Sequence, residues 1–228
     1  MADSDILPRV SALVLAGGQS RRMGRDKALL DFDGAPLIAR VIERVRQVCA
    51  EVIVVANDAY AYACFGARVV SDVYPGKGSL GGIFSGLQAA HEEYALAVAC
   101  DLPFLNDALL RYMILLAPQA DVVIPRAHAP TGKAQGATRY DQLAVKESGL
   151  QAMHAIYSKH CLEPMRARLL ADDLRIINFF DQVRVHIVEP DQVARFDPQL
   201  LSFLNVNTPE DWKSALLLLS EGRKTKDE

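Results

Sequence analysis

The chain has 228 residues, 50% of them hydrophobic and 23% charged, the balance of an ordinary soluble globular protein for which one α/β domain is the simplest count. A formal net charge of −3 argues against a nucleic-acid binder that works through a broad basic face, so the positive charge that matters must be local. Cys49, Cys64, Cys100 and Cys161 are scattered without a C-x-x-C pair, so reduced thiols acting as small hydrophobes in a cytosolic protein are expected.

Met1 to Asp5 carry acid where a signal peptide is basic, and no apolar run approaches membrane-spanning length, so a cytoplasmic location is expected. Val10 to Ala16 is apolar enough for a strand of a parallel sheet covered on both faces. It meets Gly17 and Gly18, a turn with no Cβ to block a ligand and with bare backbone N–H groups. Arg21, Arg22, Arg25 and Lys27 follow, four cations within seven residues offset only by Asp26. Bare amides and clustered cations describe a polyphosphate site. A Walker loop is excluded because Gly24 is followed by Arg25 and Lys27 by Ala28, and the glycine spacing does not fit G-x-G-x-x-G. Residues 15–27 instead resemble, at every fixed position, the signature L-A-G-G-x-S-x-R-M-G-x-D-K of the molybdenum cofactor guanylyltransferases, within the wider nucleotidyltransferase superfamily.

Pro36 starts a helix whose apolar positions Leu37, Ile38, Val41, Ile42, Val45 and Val48 recur at helical spacing. Glu51 to Ala56 reads as a strand, Asp58 to Phe65 as a short helix and Ala67 to Ser71 as a third strand. From Asp72 to Gly82 the density of Gly and Pro predicts a second glycine-rich loop, and Gly78 to Ile83 resembles the family's G-P-L-G-G stretch. A helix over Ile83 to His91 and a strand over Tyr94 to Cys100 lead into Asp101, a carboxylate at a strand's carboxyl end, where open α/β sheets bind ligands. Leu105 to Leu116 reads as helix and Ala120 to Pro125 as strand, and Arg126 to Gly149 has no usable periodicity. Residues 150–162 resemble the family's P-L-H-A-I-Y-S-K stretch, with Gln151 to Met153 departing from it. Glu163 to Leu170 reads as helix and Val183 to Val188 as strand, followed by a polar connection. Phe203 to Trp212 resembles the closing F-x-N-I-N-T-P-E-D motif, with Thr208 as cap and Pro209 in the first turn of a helix. The alternation predicts a doubly wound, mostly parallel sheet flanked by helices in three layers, a Rossmann-like nucleotidyltransferase fold. One domain is expected over residues 1–221, with a disordered charged tail over 222–228.

The resemblance implies transfer of GMP from GTP to the terminal phosphate of molybdopterin or its molybdenum-loaded form, with release of pyrophosphate. The acceptor is already anionic, so no general base is needed; positive charge and positioning are. Lys27 is the first choice for holding the triphosphate, with Arg22 second, and Asp101 should bind Mg²⁺. Leu15, Ala16, Gly17 and Gly18 are expected at the nucleotide together with Lys27, Asp72 and Asp101. Asp72 reads equally as a guanine acceptor and as a turn-starting Asp. Asn205, Asn207 and His154 are candidates for the acceptor, as are Lys159, Arg126 and Arg139, and a buried structural role is the commoner fate of a residue like His154. Gly17 favours GTP over CTP. A cytidylyltransferase on the same cofactor, a sugar- or polyol-phosphate nucleotidyltransferase and a non-catalytic GTP-binding cofactor carrier stay open beside this reading. Partners are expected to be GTP, the cofactor and molybdoenzyme-maturation proteins, with no nucleic acid and no membrane.

Overall fold

The computed structural model describes residues 7–16, 26–127 and 149–224. Seven strands form one sheet: β1 (Val10–Leu15), β2 (Glu51–Val55), β3 (Arg68–Val70), β4 (Tyr94–Ala99), β5 (Val122–Pro125), β6 (His154–Ser158) and β7 (Val185–Val188). Their order is β3-β2-β1-β4-β6-β5-β7, and only β6 runs against the rest, antiparallel to both β4 and β5. The expected mostly parallel α/β sheet is thus present. The strand β6 was not assigned from the sequence, because it lies within a stretch read only for its family motif. All five of its residues are buried, as a strand enclosed on both faces requires.

Strand β1 shows how the layers arise. Val10, Ala12 and Val14 face one cluster with α1 (Leu37–Arg46) and α4 (Asp107–Leu116), while Leu13 faces the other. That second cluster is built on α3 (Gly78–Ala89) and α5 (Leu162–Leu170). Alternate side chains of one strand therefore feed two helical layers.

One loop expectation is corrected. Residues 78–82 are not loop but the first turn of α3, and the glycines there serve packing. A Cβ on Gly82 would stand 2.7 Å from Leu15 Cδ2, and one on Gly86 2.9 Å from Val55 Cγ2 and 3.0 Å from both δ-methyls of Leu13. The helix lies so close to β1 and β2 that a methyl group has no room. Smaller differences follow from local caps: Asp58 caps α2 (Ala59–Tyr62), and the polar connection after Glu189 contains α6 (Pro190–Ala194), closed by a Glu189–Gln192 capping box. The last helix, α7 (Pro209–Lys224), runs three residues past the expected tail boundary at 221. Among the described residues no helix is long and apolar enough to cross a membrane, and the cysteines carry no disulfide.

Candidate functional site

Lys27 opens a short 3₁₀ turn, Lys27–Leu29, whose N-cap is Asp26: its Oδ1 accepts from the Ala28 N–H at 3.1 Å. The lysine is only 8% exposed. An ammonium that far from water needs acceptors, and it has two. Nζ donates to Asp101 Oδ2 at 2.7 Å and to Asn207 Oδ1 at 2.7 Å. These partners lie 74 and 180 positions away in sequence.

Each partner is placed by its own element. The ends of β1 and β4 are in register, Leu15 beside Ala99, and the Cys100 N–H donates to the Leu15 carbonyl at 3.2 Å, which puts Asp101 beside the end of β1. Asn207 precedes α7, where Thr208 Oγ1 accepts from the Asp211 N–H and Asp211 Oδ2 accepts from the Asn207 and Thr208 N–H groups. The Val206 N–H donates to the Asp101 carbonyl at 3.0 Å, which ties this turn to the strand end. A small third core holds all three segments. Phe32, five residues after Lys27, meets the rings of Phe104 and Trp212 edge-on at centroid distances of 6.5 and 5.1 Å; these follow Asp101 by three residues and Asn207 by five. Sequence reasoning missed this brace. Its signal was an aromatic a few residues behind each motif.

The second carboxylate oxygen, Asp101 Oδ1, is buried and has no hydrogen-bond partner among the described residues. An unsatisfied buried carboxylate oxygen is costly unless something binds it. A single carboxylate suits Mg²⁺, which keeps several waters and takes substrate phosphates as further ligands. Among the described residues there is no cluster of three or more His, Cys, Asp or Glu able to hold a metal without such help. The neighbouring thiol of Cys100 is pushed up to about 12 by burial, so it stays protonated at neutral pH and is no nucleophile.

The other expected residues divide. The Ala16 N–H donates to the Val55 carbonyl at 2.9 Å and the Leu15 carbonyl accepts from Cys100, so both groups serve the sheet. Asp72 begins a turn, as one of its two readings had it: Oδ1 accepts from the Tyr74 N–H at 2.9 Å and from Ser85 Oγ at 2.8 Å. Gly81 leaves room for that carboxylate, since a Cβ there would stand 3.1 Å from Oδ2. Asn205 is exposed in the turn before Asn207. His154 is 1% exposed, its ring packs on Phe203 at 4.9 Å, and neither ring nitrogen has a hydrogen-bond partner. Burial pushes its pKa down to about 4, against the nearby Asp197 carboxylate and Ser202 backbone, so it is a neutral core group with no surface for an acceptor. Lys159 belongs to the far edge of the sheet, where its N–H and Nζ donate to the Glu93 and His91 carbonyls ahead of β4. Arg126 follows β5 on the Asp101 side and pairs with both carboxylate oxygens of Glu189 at 2.9 and 2.8 Å. Gly17, Gly18, Arg21, Arg22, Arg25 and Arg139 lie outside the described residues.

Residues 12–184 match the model of the MobA-like NTP transferase domain. The chain belongs to that family. It is 33% identical over 216 residues to the molybdenum cofactor guanylyltransferase of Desulfosudis oleivorans, covering 94% of this chain and 98% of that protein. To the probable molybdenum cofactor guanylyltransferase of Pelotomaculum thermopropionicum it is 34% identical over 215 residues, covering 94% and 96%. Among solved structures, the molybdopterin-guanine dinucleotide biosynthesis protein A of Archaeoglobus fulgidus superposes with a TM-score of 0.73 at 23% identity, over 93% of this chain and 100% of that one. The 2-C-methyl-D-erythritol 4-phosphate cytidylyltransferase of Thermus thermophilus reaches 0.64 at 19% identity, over 93% and 99%. Those two share the fold. As a MobA-like nucleotidyltransferase, the chain gathers a lysine, a carboxylate and an amide at the carboxyl edge of its sheet, the edge at which such sheets take their ligands.

Proposed function

We propose that this nucleotidyltransferase moves GMP from GTP to the terminal phosphate of molybdopterin and releases pyrophosphate. The observation that carries the reading is the meeting of Lys27, Asp101 and Asn207, one from each of three separated motifs, in a chain whose relatives bear that activity in their names. The acceptor phosphate attacks the α-phosphorus without losing a proton. The barrier is charge: two like charges 4 Å apart repel by about 4 kcal/mol near a protein surface. Lys27 answers it by exchanging the Asp101 carboxylate for phosphate oxygens, a move of one flexible side chain. Asn207, freed of the lysine, offers a neutral oxygen or its amide hydrogens to the substrates. Asp101 would hold Mg²⁺ through Oδ1. Bound there, the ion supplies Lewis-acid neutralisation of the triphosphate and of the departing pyrophosphate. The guanine and the residues that choose it remain with Asp72 and the glycine stretch around Gly17.

The test is the melting temperature with Mg²⁺ and each of GTP, CTP, ATP and UTP. Ligand at a hundred times its dissociation constant adds about 2.7 kcal/mol, and a chain of this size shifts roughly 2–4 °C per kcal/mol, so selective stabilisation by GTP of several degrees is expected. Pyrophosphate release that appears only when molybdopterin is added separates the enzyme from a carrier that merely binds GTP. Selectivity for CTP, or no response to any nucleotide, overturns the reading.

A further inference from the structure

The turn that carries Lys27 is held from outside by a residue that takes no part in the site. Asp26 has two carboxylate oxygens. Oδ1 caps the Lys27 turn, and Oδ2 accepts a short hydrogen bond from the hydroxyl of Tyr62, 36 positions away in α2. Tyr62 is 2% exposed and packs in the same apolar cluster as Ala16, Ala28 and Ala56, with its ring tilted against Phe65 at 6.4 Å. For packing alone a phenylalanine would serve there, and a buried hydroxyl is tolerated only because it finds an acceptor. Burial and the Asp26 carboxylate push the phenol up, so the oxygen remains a donor through the working pH range.

We infer that Tyr62 is a positioning residue: through Asp26 it fixes the turn that aims Lys27 Nζ at Asp101 and Asn207. The inference rests on Lys27 being the cation that meets the triphosphate. With the hydroxyl gone, Asp26 keeps its cap but loses its second anchor, and the carboxylate turns about its χ angles. The lysine then spends more time away from its two acceptors.

The test uses Tyr62→Phe in the full chain. Lys27 is labelled with trace acetic anhydride in the absence of nucleotide and quantified by mass spectrometry against the exposed Lys213. In the wild type Lys27 should label poorly, and in Tyr62→Phe about tenfold faster, the size of one lost hydrogen bond to a charged group. The dissociation constant for GTP with Mg²⁺ should rise by a similar factor in Tyr62→Phe, and this second change should vanish when Lys27→Ala is the background, which a general loss of packing would not do. Should Tyr62→Phe fail to fold, Asp26→Ser reads the same link from the other side, since serine still caps the turn but cannot reach the hydroxyl. Unchanged Lys27 labelling in a folded variant overturns the inference. Absence of GTP binding by the wild type overturns the functional reading instead, and the labelling still decides whether Tyr62 controls Lys27.

Discussion

Lys27 and Asp101 are each other's counter-ion with only 11% and 14% of their side chains exposed, so removing one leaves a buried charge behind. Lys27→Met should cost about 3 kcal/mol of stability in urea unfolding, and Lys27→Met with Asp101→Leu should recover most of it. Lys27→Ala should also reduce turnover by about a hundredfold or more, the loss expected for one charge-stabilising group. His154 makes a pH prediction. Its folded pKa of about 4 lies below the model value of 6.5, so between those values the unfolded chain binds more protons and stability falls as pH falls. The contribution is complete above pH 6.5 and lost toward pH 4; between pH 7.5 and 5.0 about 2 kcal/mol should go, and His154→Leu should flatten that slope. At this scale the sequence was readable where a residue's chemistry admits few uses, as with Lys27 and Asp101. It was silent on His154, because a histidine's fate depends on what lies above and below its strand.

The elements place these residues, and their end signals carry the energy. Thr208→Ala should lose the N-cap of α7 and about 1 kcal/mol, read as a fall of roughly 2–4 °C in melting temperature. In α3 the cost is steric. Gly86→Val would drive methyl groups into Leu13 and Val55, and overpacking of that kind costs about 1–3 kcal/mol. The alternating strands and helices were legible from periodicity, and so was the start of α7 from its cap. The first turn of α3 was not, since glycines at 78, 81 and 82 look the same in sequence whether they free the backbone or let a helix approach a sheet. Strand β6 was hidden for a related reason: the segment around His154 Ala155 Ile156 was read as a motif, and pairing with both β4 and β5 is a property of the sheet.

Over the whole molecule, the site exists only when distant parts of the chain are assembled together. Lys27 follows β1, Asp101 follows β4 and Asn207 precedes the last helix, so nucleotide binding and backbone folding should be lost together. Urea unfolding followed by circular dichroism and by displacement of a fluorescent guanine nucleotide should give coincident midpoints, and a binding loss at lower urea would show that the last helix detaches first. The fold class and the chemistry of the edge were legible at this scale, but the convergence of three segments on one lysine was not, because sequence separation says nothing of distance. The aromatic brace adds a consequence for change over time. Each functional side chain travels with its own anchor, Lys27 with Phe32, Asp101 with Phe104 and Asn207 with Trp212. The long connections between these three cassettes are therefore free to grow or shrink, while one residue inserted inside any cassette would part a reacting group from the ring that holds it.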